Sequence, residues 1–410
     1  MTAPQRPKLA VVSPFLDKQH GTERMVAEWI AHLTDDFEIH VYSQDIEDVD
    51  LSKVVWHRIP QLRGPHLLNY LWWFVANYMC RVWNEVRGLH FDLVFSPGIN
   101  CLDPDAVSVH IVFAEFVRRV QSELTFSGNS VSSWPRLLHR KLYYRLAIFL
   151  EGIVFRNPAI QLILTAAQSG EEIERFYGRN GGLPVVSSGL DQTTFNPSRC
   201  SCLRTTARAA LGLAADRFAI LLIGNDWRKK GLLTLLGAVR ELSWLPVDLL
   251  VVGRDSPEPF KGFIRDNRLE GCVHFLPPRK DVEFYYAAAD LYAGPSLEDT
   301  FALPAAEAMA CGLPVIVSVR AGASELIKNG IDGLILDDPT DAQVLATMIR
   351  KLYGDIEFRS RLGRSASETA RKYTWERSSR ELRTIFEDIL QRKSKFPGYP
   401  PHKIPGSTTQ

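Results

Sequence analysis

"PSLEDTFALPAAEAMACGLPV" (residues 295–315) lies between two short apolar runs, "ADLYAGPS" (289–296) and "PVIVS" (314–318). Pro304 suits the first turn of a helix, where its missing N–H is not needed. Gly312 suits the position just past a helix end. The stretch therefore reads as strand, acidic loop, helix over about 304–311, then strand. A strand–helix–strand order with short buried strands predicts a parallel sheet covered on both faces. Within that helix Glu307 stands among Ala, Leu and Met. A carboxylate is costly to bury without a partner. It can accept hydrogen bonds from a vicinal diol such as a ribose, or pair with a nearby arginine. The first amides of the helix, around Phe301, Ala302 and Leu303, are suited to phosphate.

The same order extends both ways along the chain. "LAVVSPF" (9–15), "EIHVYS" (38–43), "FDLVFSPG" (91–98) and "AIQLILTAA" (159–167) read as strands of a first half. "TERMVAEWIAHL" (22–33) has apolar residues at helical spacing. "FAILLIGN" (218–225), "VDLLVVG" (247–253) and "CVHFLP" (272–277) begin a second series. The expected fold class is α/β, with two Rossmann-like doubly wound domains facing a cleft and ligands at the carboxyl ends of the strands. Gly, Pro and Ser punctuate "VVSSGLDQTTFNP" (185–197), which places a boundary there. The expected division is 1–188, then 189–372, a terminal helix over 373–392, and a disordered polar tail over 393–410.

At 410 residues, two domains are the natural expectation. The net charge of +1 excludes the strong basic field of a nucleic-acid binder. The six cysteines form no CxxC pair and no metal-ligand spacing, which fits free thiols in a reducing compartment. The N-terminal segment has no apolar run of signal-peptide length. The most apolar stretch, 67–80, is shorter than the roughly 20 residues of a spanning helix. A soluble cytoplasmic chain is expected, with contact at the inner face of a membrane as an extension.

Two further loops carry candidate residues. "IGNDWRKKGLLTLLGAV" (223–239) sets a strand end, a Gly turn, Arg228, Lys229 and Lys230, and a helix start in order. Cations at that edge suit a diphosphate, although a solvated basic turn has the same pattern. It is not a Walker loop, because the Gly-Lys-Ser/Thr pattern is absent. "DKQHGTERMV" (17–26) places Gly21 where backbone can approach a ligand closely. His110, in "DAVSVHIVFAEF", ends an apolar run and reads as a packed histidine or a catalytic one.

Taken together, "GLDQTTFNP" (189–197), "WRKKGL" (227–232), the run from Val273 to Ser318 and "GASELIKNGIDGLIL" (322–336) resemble the retaining glycosyltransferases of family four, with the GT-B fold. The first half resembles them mainly through "HGTERMV" and His110. The resemblance implies transfer of a hexose from a UDP- or GDP-linked donor to a hydroxyl of a glycan, lipid-linked or other acceptor. It implies that Glu307 holds the nucleotide ribose and that Lys230 meets the diphosphate. Asp299 takes the place of the first acid of the Glu-x7-Glu motif near the donor sugar, with Glu298 as the substitute acid beside it. Arg228 replaces an arginine whose usual place is occupied by Asn225. Gly21 lies by the diphosphate, and His110 by the donor sugar. No metal and no separate cofactor are implied, since no Asp-x-Asp motif matches that of the metal-dependent transferases of the other main fold. Rival readings are an epimerase on the same fold and a non-catalytic partner subunit.

Two aromatic and partly basic segments, 69–83 and 134–155, read either as core-facing helices or as docking surfaces for an anionic membrane. In the second, Leu142, Leu146, Phe149, Leu150 and Ile153 fall on one helical face, with Arg136, Arg140, Lys141 and Arg145 among them.

Overall fold

The computed structural model describes residues 6–18, 21–62, 64–119, 134–299 and 301–395. It divides into two compact units, Met1–Ser187 with Trp375–Gln410, and Ser188–Thr374. The first unit contains β1 (Lys8–Val12), β2 (Phe15–Leu16), β3 (Glu38–Ser43), β4 (Asp45–Ile46), β5 (Val54–Arg58), β6 (Leu93–Pro97), β7 (Ala106–Val109) and β8 (Gln161–Leu164). Its helices are α1 (Gly21–Leu33), α2 (His66–Val86), α3 (Phe113–Arg119), α4 (Trp134–Phe155) and α5 (Gln168–Tyr177). Six strands form one parallel sheet in the order β5-β3-β1-β6-β7-β8.

The second unit contains α6 (Pro197–Ala210), β9 (Phe218–Ile223), α7 (Leu232–Glu241), β10 (Val247–Val252), α8 (Glu258–Asp266) and β11 (Val273–Leu276). It continues through α9 (Glu283–Ala288), β12 (Leu291–Gly294), α10 (Leu303–Ala310), β13 (Val315–Ser318), β14 (Leu334–Leu336), α11 (Ala342–Gly354) and α12 (Ile356–Ala370). Its sheet is also parallel, in the order β11-β10-β9-β12-β13-β14. Every residue of β10, "VDLLVV", is buried, as a strand covered on both faces requires. The one charge in it, Asp248, is held by Arg217 at 2.8 Å and by His274 Nε2 at 3.1 Å.

Each sheet grows first to one side of its central strand and then to the other. The reversal falls between β1 and β6 in the first unit and between β9 and β12 in the second. Such a reversal is where a doubly wound sheet takes its ligands, at the carboxyl edge of the strands. Three strands carry too weak a signal to stand out in the sequence. β5 is a half-exposed edge strand, β7 has a buried serine in "AVSV", and β14 is three residues long.

The terminal helix α13 (Trp375–Lys395) returns to the first unit. It begins two residues later than the sequence pattern suggests, and Lys393–Lys395, assigned there to the tail, are helical. Residues 396–410 lie outside the described residues. Trp375, Leu382, Phe386 and Ile389 share its buried face. Phe386 packs edge-on against Phe37 and Phe95, with ring centroids 6.0 and 5.2 Å away. Trp29 Nε1 on α1 donates to Ser378 Oγ at 2.8 Å, and Lys393 Nζ reaches Asp105 at 2.9 Å.

Truncating Phe386 leaves a void between α13 and the first sheet. Phe386→Ala is expected to destabilise the first unit by about 3–5 kcal/mol. Urea denaturation followed by a probe in that unit checks this, with the second unit's transition unmoved.

Candidate active site at the edge of the second sheet

The loops after β9 and β12 lie against each other because a glycine permits it. A Cβ at Gly231 would sit 1.9 Å from the carbonyl oxygen of Pro295, and its φ of +77° already favours glycine. Leu297 N then donates to Lys229 O at 2.7 Å across the seam. Gly253, at the end of β10, is as close: a Cβ there would lie 2.2 Å from Gly224 O. The exits of three neighbouring strands are thereby held within backbone contact.

Lys230 lies in this seam. Its stem crosses Gly224, whose added Cβ would come within 3.0 Å of Lys230 Cε. Its ammonium bonds Oδ2 of Asp299. The other carboxylate oxygen of Asp299 accepts from Ala302 N at 3.1 Å. The backbone of Asp299 is also tied down: its N donates to Arg320 O at 3.3 Å and its O accepts from Gly322 N at 2.9 Å. Asp299 therefore joins the basic loop, the start of α10 and the turn after β13. Ala302 adopts φ +60°, ψ 54°, a left-handed conformation that costs a non-glycine residue of order 1 kcal/mol or more.

The helix α10 starts one residue before the sequence pattern places it, and Pro304 lies in its first turn. Glu307 follows one turn in and is 3% exposed. Its Oε2 accepts from the hydroxyl of Tyr286 on α9 at 2.7 Å. Burial and the adjacent carboxylate push the Tyr286 hydroxyl well above its ordinary pKa, so it remains a donor. Tyr286 is the partner of Glu307 that sequence reading missed. "FYYAAA" shows a buried helix but not which hydroxyl meets an acid two elements away.

The other expected residues occupy less committed positions. Arg228 is exposed on the basic loop, and Glu298 is half-buried beside Asp299. Asn225 accepts from Arg254 N at 3.0 Å, which ties its loop to the one after β10. Phe301 and Leu303 pack half-buried against the core, and Thr300 lies outside the described residues. In the first unit Gly21 opens α1, and a Cβ there would meet nothing within 4 Å. His20, before it, lies outside the described residues. His110 follows β7 directly, with Nε2 2.9 Å from Ser108 Oγ. Burial holds its pKa down to about 4, so the ring is neutral at pH 7. Among the described residues, no group of three or more His, Cys, Asp or Glu side chains is placed to hold a metal.

The model of the family described as glycosyl transferases group 1 matches residues 204–369. The group 1 segment runs from α6 into α12 and holds Arg228, Lys230, Glu298, Asp299 and Glu307, whereas Gly21 and His110 lie outside it. A D-inositol 3-phosphate glycosyltransferase of Corynebacterium kroppenstedtii is 32% identical over 224 residues, 51% of this chain and 49% of that protein. The chain thus spans about half the length of the curated relatives it matches first. Among solved structures, WaaG, a glycosyltransferase involved in lipopolysaccharide biosynthesis, superposes with a TM-score of 0.74 at 19% identity, covering 92% of this chain and 99% of that one. Anabaena HepE in complex with UDP and glucose superposes with a TM-score of 0.68 at 19% identity, covering 94% of this chain and 99% of that one. The fold around the group 1 segment is GT-B, with a Rossmann-like sheet in each unit.

Two outcomes follow from this geometry. Gly231→Ala should lower the melting temperature by several degrees, while Gly21→Ala should leave it unchanged, since only the first meets backbone. For His110 the unfolded chain binds a proton near 6.5 and the folded one only near 4. Lowering the pH through that window favours the unfolded chain, by on the order of 3 kcal/mol once both forms are protonated. His110→Gln should therefore lose less stability than the parent between pH 7 and 4, as read by urea denaturation at stepped pH.

Proposed function

We propose that this chain is a retaining hexosyltransferase. In this reading it moves a hexose from a UDP- or GDP-linked donor to a hydroxyl of a glycan, lipid-linked or other acceptor. The observation that carries the proposal is the placement of Lys230 in the seam between β9 and β12, with the start of α10 beside it and Glu307 one turn in. A nucleoside diphosphate has a matching order of groups, with a diol at one end and two phosphates at the other. The group 1 match covers these residues, and the curated relatives the chain matches first are named D-inositol 3-phosphate glycosyltransferases.

Glu307 is assigned to the ribose diol, with Tyr286 holding its carboxylate in place. Lys230 is assigned to the diphosphate. An ammonium has three donors, so it can keep Asp299 while a phosphate oxygen approaches. Arg228 and the amides around Phe301, Ala302 and Leu303 add positive potential where the leaving group gains charge. The resemblance assigns Gly21 to the diphosphate and His110 to the donor sugar. Asp299 is assigned to the donor sugar's side of the site. Its short side chain is matched to capping Ala302 N while holding Lys230, and Glu298 is the acid that would substitute for it.

In the reaction so assigned, the bond from the anomeric carbon to the diphosphate oxygen breaks as the oxocarbenium character grows. The acceptor oxygen forms its bond on the same face, which retains configuration. The acceptor proton passes to the leaving phosphate oxygen. Charge is met by Lys230, Arg228 and the helix start, and the reading assigns no metal and no separate cofactor. The acceptor is assigned to the first unit, in the cytoplasm or at the inner face of a membrane.

Calorimetry against a panel of nucleotide sugars tests this reading. One donor should bind, and Glu307→Gln should weaken it on the order of ten- to a hundredfold, the loss of hydrogen bonds to a charged group. Unchanged affinity would remove Glu307 from the site. Release of free nucleotide from donor without acceptor would point instead to an epimerase, and absence of any donor binding to a partner subunit.

A further inference from the structure

The helix α2 is apolar on two opposite sides. Trp73, Ala76, Asn77 and Arg81 face inward and are buried. On the other side Leu71, Val75, Met79, Val82 and Val86 follow one another at spacings of three and four residues, all exposed. Met79 is 63% and Val86 78% exposed. At ~1.5 Å per residue this stripe runs for about 22 Å. Leu68, Tyr78 and Trp83 widen it, and Arg87 stacks on Trp83 with 4.7 Å between guanidinium and ring centroid. A helix with apolar residues on both sides is ordinarily covered on both, and an open patch of this kind marks a docking surface.

The stripe does not stand alone. Tyr70 of α2 packs on Tyr143 of α4 with ring centroids 5.1 Å apart, so the two helices are neighbours. The apolar residues that the sequence placed on one face of α4 are divided. Leu150 is buried and Leu146 and Ile153 pack partly buried against the core, whereas Leu142 and Phe149 are exposed together with Leu138. Arg140, Lys141 and Arg145 lie along the same helix, which has no acidic residue before Glu151. Glu151 is buried and accepts from the amides of Phe113 and Ala114, so it does not neutralise the surface. The helix α2 has no acidic residue before Glu85. The side chains of Trp134, Pro135 and Arg136 lie outside the described residues.

We propose that the outer face of α2, continued by Leu138, Leu142 and Phe149 of α4, docks on an anionic lipid bilayer. Apolar side chains enter the acyl boundary, Trp83 and Tyr78 lie at headgroup level, and the cations of α4 meet lipid phosphates. Charge complementarity selects this occupant over a second copy of the chain. A two-fold pairing through the same face would bring Arg140 and Arg145 of both copies together, with Glu85 near the end of α2 as the one exposed carboxylate of the two helices. Among the described residues no helix is long and apolar enough to cross a membrane, so the contact is peripheral. This face supplies the surface for the membrane contact assigned under the proposed function, and its readout does not depend on donor binding.

Flotation of the full chain with vesicles tests it. Vesicles of phosphatidylcholine with phosphatidylglycerol in equal parts should capture the protein, and added salt should reduce capture. Phosphatidylcholine alone should capture little. Val75→Glu with Met79→Glu should reduce capture roughly tenfold or more, because two charges then have to enter the apolar boundary. Arg140→Glu with Arg145→Glu should abolish the preference for the anionic vesicles. Both pairs should keep the parent's circular dichroism and melting temperature, and a pair that does not is replaced by Leu71→Ser with Val86→Ser. Parent protein that ignores the anionic vesicles, or folded variants that bind like the parent, would overturn the proposal. So would a parent dimer in sedimentation velocity that Val75→Glu with Met79→Glu disperses while vesicle capture is absent.

Discussion

The closest constraint in the second unit is the backbone of Gly231 against the carbonyl of Pro295. No other residue type fits there, because a Cβ would lie 1.9 Å from that oxygen. The approach lets the loop after β9 share a hydrogen bond with the segment after β12. Those two strands flank the point where the sheet reverses its order of growth. A basic loop and an acidic loop, nearly seventy positions apart in the chain, become one edge. With any side chain at 231 the loops would have to separate, and Lys230 would lose its place beside Asp299.

Charge in this edge is arranged in two layers. Lys230 and Asp299 form the outer layer, partly open to solvent, and Asp299 also caps the turn into α10. Glu307 and Tyr286 form the inner layer, where both are buried. A buried carboxylate with a tyrosine hydroxyl fixed on one oxygen has little freedom to turn. That suits the role proposed for Glu307, to grip a ligand in one orientation. The left-handed backbone at Ala302 is consistent with the same purpose, since strain of this kind persists only where surrounding contacts hold it.

The two units use the same sheet plan for different ends. In the second, the residues of interest crowd the strand switch point and the helices cover both sheet faces. In the first, His110 is packed and neutral beside Ser108, and the conspicuous feature is the uncovered apolar side of α2. An open apolar patch of this kind is the mark of an interaction surface.

Local sequence was enough for the fold class. Runs such as "FAILLI" and "VDLLVV" are apolar throughout because both faces of a parallel strand are covered, and that signal needs no knowledge of partners. The helix at 303–310 was legible to within a residue from Pro304 and Gly312, since backbone geometry alone governs where those two residues fit. Lys230, Asp299 and Glu307 could be singled out by spacing and by resemblance. What each touches could not. The Lys230–Asp299 bond, the Tyr286 hydroxyl on Glu307 and the outward turn of Val75 and Met79 all depend on elements distant in the chain. Period and propensity report which side chains share a face of a helix. Only the packed structure decides whether that face meets the sheet, a neighbouring helix or the outside, because burial is a property of the whole assembly of elements and not of any one of them.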